Sequence, residues 1–204
     1  MDITVKAMNM IVKRLGAALA LAVPALALAH TGAGDAHTHA NFASGLLHPL
    51  GGADHLAAMV AVGVWSALAV RPVWVAPLAF VAMLVLGALA AFAGWQVPAV
   101  EPMIAASLLA VGLLVALRVR LPAAAAVALT GAFAFFHGAA HGTELAGGTG
   151  AWPVLAGMAL GTALLHAAGI GLGEWVLRRR RWLGALAGAA VALLGSALLL
   201  RMAL

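Results

Sequence analysis

The sequence predicts an all-α polytopic membrane protein, six transmembrane helices behind an N-terminal signal peptide. Three observations carry that fold class. Of 204 residues, 65% are hydrophobic and 8% charged, whereas a soluble domain has about half apolar and about a quarter charged. Mean hydropathy is +1.10. Apolar stretches close to the ~20 residues that cross a bilayer recur at 46–70, 73–95, 99–117, 122–140, 151–177 and 182–203. Finally, basic residues crowd alternate breaks between these stretches. The formal charge of +5 and the pI near 11.5 superficially match a nucleic-acid partner, so the positions of the 17 charged residues decide their meaning. The absence of cysteine excludes disulfide scaffolds, thiolate metal sites and Cys nucleophiles.

Residues 1–29 read as a signal peptide. Lys6, Lys13 and Arg14 form a positive leading region, Leu15 to Leu28 is a short apolar run, and Ala27-Leu28-Ala29 is a small-x-small cleavage site. The alternative is an uncleaved first helix. In either case the segment after Ala29 is expected outside the cytoplasm. Residues 30–45 are then an external, His-rich segment carrying His30, Asp35, His37 and His39, and residues 46–204 form the six-helix transmembrane domain. That segment is either a flexible arm for capturing metal or a plain polar tail.

The six spans are bounded by Arg71-Pro72, Gln96-Val-Pro98, Arg118 to Pro122, Glu144 to Gly150 and Arg178 to Arg181, where Pro and Gly act as helix-stop and turn signals. With an external N-terminus, the first, third and fifth breaks face the cytoplasm. They hold Arg71, Arg118, Arg120 and Arg178 to Arg181, while the two external loops hold no Lys or Arg and only Arg201, near the C-terminus, falls outside. This is the positive-inside pattern. The basic pI therefore reports orientation in a lipid bilayer, and nucleic acid is excluded as a partner. Gly184-Ala-Leu-Ala-Gly188 and Ala156-Gly-Met-Ala-Leu-Gly161 show the small residues that let transmembrane helices approach closely. Met59, Met83, Met103 and Met158 read as packing filler in those helices.

Ionisable groups inside a membrane cost about 2.5–3.5 kcal/mol each on insertion scales and mark function by default. Here they form two groups. His48-Pro-Leu-Gly-Gly-Ala-Asp54-His55 opens span one, and Phe136-His137-Gly-Ala-Ala-His141-Gly-Thr-Glu144 closes span four. His48 and His55 share a helix face if the intervening Pro-Gly-Gly segment is helical. His137, His141 and Glu144 fall at i, i+4 and i+7, again one face, and two imidazoles one turn apart can ligate one cation.

Depth agrees with this grouping. His55, His137 and Glu101 each lie 16 or 17 residues from a cytoplasmic arginine, roughly 24–26 Å along a straight helix. His166 lies 12 residues from Arg178, roughly 18 Å by the same rise, one step further inward. The order is that of a cation path with His166 beyond the outer cluster. Three of these residues have plainer readings as well. His166 alone fits a hydrogen-bonded packing residue, Glu101 beside Pro102 fits a helix-start cap, and Glu174 fits an i, i+4 pair with Arg178.

Imidazole plus carboxylate without thiolate suits borderline divalent ions such as nickel, cobalt and zinc, whereas calcium and magnesium want more oxygen. At these residues the chain resembles the HupE/UreJ family of bacterial nickel/cobalt permeases. Its H-x5-D-H motif is matched by His48, Asp54 and His55, and its F-H-G-x-x-H-G-x-E motif by Phe136, His137, Gly138, His141, Gly142 and Glu144. The likeness extends to the leader, the His-rich start, the six spans and the Glu101-Pro102 opening of span three. The resemblance implies import of Ni2+ or Co2+ across the inner membrane as transported substrate, with no catalytic cofactor. His48, Asp54, His55, His137, His141 and Glu144 are then the metal site, and His30, His37, His39, Glu101 and His166 are capture or path residues. No G-x-x-x-x-G-K-[ST] loop is present, which points to a secondary transporter. The same ligands also fit an intramembrane metal-dependent hydrolase or a metal-binding accessory that does not transport. Against these stand the lack of an H-E-x-x-H motif and of any soluble output domain.

Overall fold

The computed structural model describes residues 41–204; the expected leader and His30, Asp35, His37 and His39 lie outside the described residues. Within them the chain is all-helical. Seven helices follow in order: α1 (Phe42–Gly51), α2 (Ala53–Ala69), α3 (Val75–Phe92), α4 (Val100–Leu117), α5 (Ala123–Leu145), α6 (Ala151–Leu172) and α7 (Arg181–Ala203). A π-helical turn, Gly173–Leu177, extends α6. Helices α3 to α7 are each long and apolar enough to cross a membrane. The α1–α2 pair passes the same test only when taken together, and it is bent by 88° at its break.

That break corrects the expectation of one continuous first span. Helix α1 starts cleanly, because Asn41 Oδ1 accepts the Ser44 N–H at 2.9 Å and Ser44 Oγ accepts the Asn41 N–H at 3.1 Å, a reciprocal capping box. It ends two residues after Pro49, which lies inside the helix and has no N–H to give the Gly45 carbonyl. Gly51 and Gly52 follow with little helix preference, and Gly52 is extended at φ −112°, ψ 124°. His48 and His55 therefore sit on different helices and do not share a face. The other boundaries agree with the sequence to within a few residues, except that α5 continues past residue 140 and includes His141 and Glu144.

Three tight seams hold the bundle together. α3 runs parallel to α5, the bent α1–α2 pair runs parallel to α6, and α4 runs antiparallel to α7. Each seam has glycine where backbones meet. A Cβ on Gly138 of α5 would stand 1.9 Å from the Leu84 carbonyl oxygen, one on Gly63 of α2 2.2 Å from that of His166, and one on Gly112 of α4 2.4 Å from Ala192 N. Large side chains point the other way. On α7, Trp182, Leu186, Leu193 and Leu200 are exposed while Gly184, Gly188, Ala192 and Gly195 are buried. This reversal of the soluble pattern is expected where lipid surrounds the helix and close packing replaces the hydrophobic effect.

Counting the bent pair as one span, exchange of spans one to three with four to six maps the first two seams onto each other and the third onto itself. That is the pairing two inverted three-helix repeats produce. The break in α1–α2 has no counterpart in α5, which is continuous. Arginines finish the helix ends at one side of the bundle. Arg71 donates to the Ala67 and Val70 carbonyls at 3.3 and 2.7 Å, and Arg118 donates to the Leu177 carbonyl. Cations at helix C-termini meet the unsatisfied carbonyls and the negative end of the dipole.

Candidate metal site

The bend lays α1 along α6, so His48 reaches His141 of α5 from a different helix than His55 does. The His48 and His141 rings are 4.8 Å apart at 89°, the His55 and His141 rings 4.7 Å, and the His55 and His137 rings 5.3 Å. His48, His141 and Glu144 each offer a ligand atom within 4.8 Å of the other two. Metal–ligand bonds of about 2.0–2.2 Å need such atoms within about 4 Å of each other. Rotation of the exposed His48 and Glu144 side chains supplies that small closure. The structure thus brings five of the six expected ligands into direct ring or ligand proximity, and Asp54 joins them through His55.

The deeper histidines are each tethered by one nitrogen. Asp54 Oδ1 accepts the His55 backbone N–H at 2.9 Å and lies 3.0 Å from His55 Nδ1, so Nδ1 carries the proton and Nε2 the lone pair. Ser107 Oγ gives its single proton to the Ile104 carbonyl at 2.6 Å. It therefore accepts from His137 Nε2–H at 3.0 Å, which places the lone pair of His137 on Nδ1. His166 Nδ1–H donates to the Met59 carbonyl at 2.7 Å, leaving the lone pair on Nε2. These three remaining nitrogens, His55 Nε2, His137 Nδ1 and His166 Nε2, are buried without a hydrogen-bond partner in the protein. Buried polar atoms are nearly always paired, and a histidine fixed through one nitrogen with the other left open is the arrangement of a metal ligand. At the rim, His141 Nδ1 lies 3.4 Å from Glu144 Oε2.

Burial orders the set. His48 and Glu144 are exposed, His55 is 9% and His141 3% exposed, and His137 and His166 are fully buried. Polar side chains thus lead from an open rim into the packed interior. Glu101 stands exposed in the first turn of α4 and outside this convergence. Glu174 pairs with Arg178 across one turn, as its spacing predicts, and takes no part in the cluster. His30, His37 and His39 lie outside the described residues.

Two contributors escaped the sequence reading. Ser107 is a lone hydroxyl in an apolar span, 30 residues from the ring it orients; its polarity was a signal, its partner was not. Phe80 contacts both His137, at 5.5 Å between ring centroids, and His166, at 5.0 Å. Nothing in the sequence distinguishes it from the other phenylalanines. Met59, expected as filler, also supplies the carbonyl that orients His166.

Apolar helices around a His/carboxylate cluster that runs from an exposed rim to buried histidines define a multi-pass membrane protein with a candidate transition-metal site. The chain belongs to the HupE/UreJ family: the model of that family, described as HupE / UreJ protein, matches residues 17–198. It is also similar to Protein HupE of Rhizobium leguminosarum bv. viciae, 42% identical over 182 residues, which cover 88% of this chain and 93% of the relative. No solved structure matches it.

Proposed function

We propose that the protein is a secondary importer of Ni2+ or Co2+, carrying the cation across the bacterial inner membrane through the site between spans one and four. The observation that supports this most is the descending series of imidazole lone pairs at His55, His137 and His166, each on a ring already fixed by its other nitrogen. In this reading the bent α1–α2 pair is the first of six spans, the N-terminal end faces outward and the arginine breaks face the cytoplasm. A broken helix beside the site is a recurrent feature of transporters, because it frees backbone groups and lets side chains converge from two directions.

The cation meets His48, His141 and Glu144 at the rim, exchanging water for imidazole and carboxylate. It passes next to His55 and His137, where the Asp54 carboxylate offsets its charge, and then to His166. Neutral imidazoles fixed in orientation replace hydration in a medium where an unpaired charge is costly. An inward-negative potential favours entry of a divalent ion by about 4.6 kcal/mol per 100 mV, so no nucleotide hydrolysis is needed. The chain acts as a carrier, not an enzyme.

Radiometal uptake into proteoliposomes, with Ni2+, Co2+ and Zn2+ in competition and an imposed pH gradient, tests the reading. Wild type accumulates nickel or cobalt, and His55→Ala and His137→Ala lose accumulation while still inserting. Normal uptake in both variants would overturn the site assignment. Stoichiometric metal retention without flux would favour an intramembrane hydrolase or a binding accessory instead.

A further inference from the structure

One apolar ring stands against the series of histidines described above. From the rim inward the rings follow as His48, His141, His55 and His137, each within 5.3 Å of the next. Phe80 of α3 then packs against both His137 and His166, its ring centroid 5.5 and 5.0 Å from theirs. Phe80 is 1% exposed and His137 and His166 are fully buried, so the ring is part of a close-packed interior. His137 Nδ1 and His166 Nε2 both lack a partner in the protein, which makes Phe80 the shared neighbour of two histidines with open nitrogens.

A phenyl ring has no lone pair with which to replace a lost imidazole. Cation–π attraction serves ammonium and guanidinium groups, whereas a divalent transition ion is held by nitrogen or oxygen at about 2.0–2.2 Å. We propose that Phe80 is the gate between two cation stations, an outer one ending at His137 and an inner one beginning at His166. The inference rests on the transport reading and assigns to it a residue outside both motifs. With the ring in place the outer station is closed toward the cytoplasm; passage requires the ring to turn, or α3 to shift against α6. Helix α3 moves with α5 through the Gly138–Leu84 contact, and His166 moves with α2 through the Gly63 contact. The gate thus lies between the two parallel seams, and relative motion of those seams is what displaces it.

The test separates binding from flux. Purified Phe80→Leu and Phe80→Ala are assayed for equilibrium Ni2+ binding in detergent, and for loss of nickel from preloaded proteoliposomes after external metal is removed. Leu84→Ala, one turn further along α3 and equally buried, controls for loosened packing. A gate predicts nickel binding close to wild type in both Phe80 variants, with efflux faster by about tenfold, the equivalent of about 1.4 kcal/mol off a barrier. Leu84→Ala leaves efflux near wild type. If Phe80→Ala does not fold, Phe80→Leu decides. Wild-type efflux with binding retained, or an equal rise in Leu84→Ala, overturns the gate. Loss of nickel binding in the Phe80 variants also overturns it, and makes the ring a positioning group for His137. Nickel binding that His137→Ala leaves intact would instead overturn the metal-site reading itself.

Discussion

His137 carries the proposed metal site at the scale of one residue. Its position in an apolar helix costs free energy unless both ring nitrogens have uses, and Ser107 accounts for only one. The partners that orient such ligands typically contribute 10–100-fold to metal affinity. Ser107→Ala removes the acceptor for Nε2–H, and Asp54→Asn removes the carboxylate beside His55 Nδ1. Each variant is expected to bind Ni2+ about 10–100-fold more weakly by calorimetric titration, with fold and insertion retained. Unchanged affinity in both would mean that those rings are not ligands. The six motif residues stood out in the sequence because ionisable groups are rare in this chain, but only His137, His141 and Glu144 share a face by spacing, whereas His48 and His55 meet the others through the bend. Ser107 and Phe80 were not, since their roles arise only from helices brought together across 30 or more residues of chain.

Single helices were legible from hydropathy, and their ends from Pro, Gly and Arg. The break at Gly52 was the exception. Pro-Leu-Gly-Gly has weak helix preference but no sharp stop, and the outcome depends on where α1 packs. That helix lies on α6, where Gly157 admits the Phe42 carbonyl: a Cβ there would stand 2.2 Å from its oxygen. Packing of this kind makes the small residues unequal. On Gly112 an added Cβ meets Ala192 N at 2.4 Å, whereas on Gly171 it meets nothing within 4 Å. Gly112→Ala is expected to cost about 1–3 kcal/mol through forced separation of α4 and α7. Gly171→Ala, in open space on α6, is expected to be neutral or to gain up to about 1 kcal/mol in helix preference. Thermal unfolding of the two variants in detergent checks the pair, and equal melting temperatures would contradict the seam.

For the molecule as a whole, the proposed orientation rests on the basic residues. Arg71, Arg118, Arg120 and Arg178 to Arg181 mark one side, and the rim of His48 and Glu144 opens at the other ends of α2 and α5. The chain has no cysteine, so single cysteines report topology without background. Gly148→Cys is expected to react with an impermeant maleimide from the external side of intact cells, and Arg179→Cys only after permeabilisation. The reverse labelling would turn the path around. The three seams pair the helices as an inverted repeat would, yet the sequences of the two halves show no convincing likeness. Close approach needs only small residues, and many sequences supply them.

The central claim is that buried imidazole nitrogens receive the transported cation. X-ray absorption at the nickel edge of the Ni2+-loaded protein tests it most directly. The account predicts histidine-imidazole scattering that weakens in His55→Ala and again in His137→Ala. Nickel surrounded by oxygen alone, with a spectrum unchanged by either substitution, would contradict it.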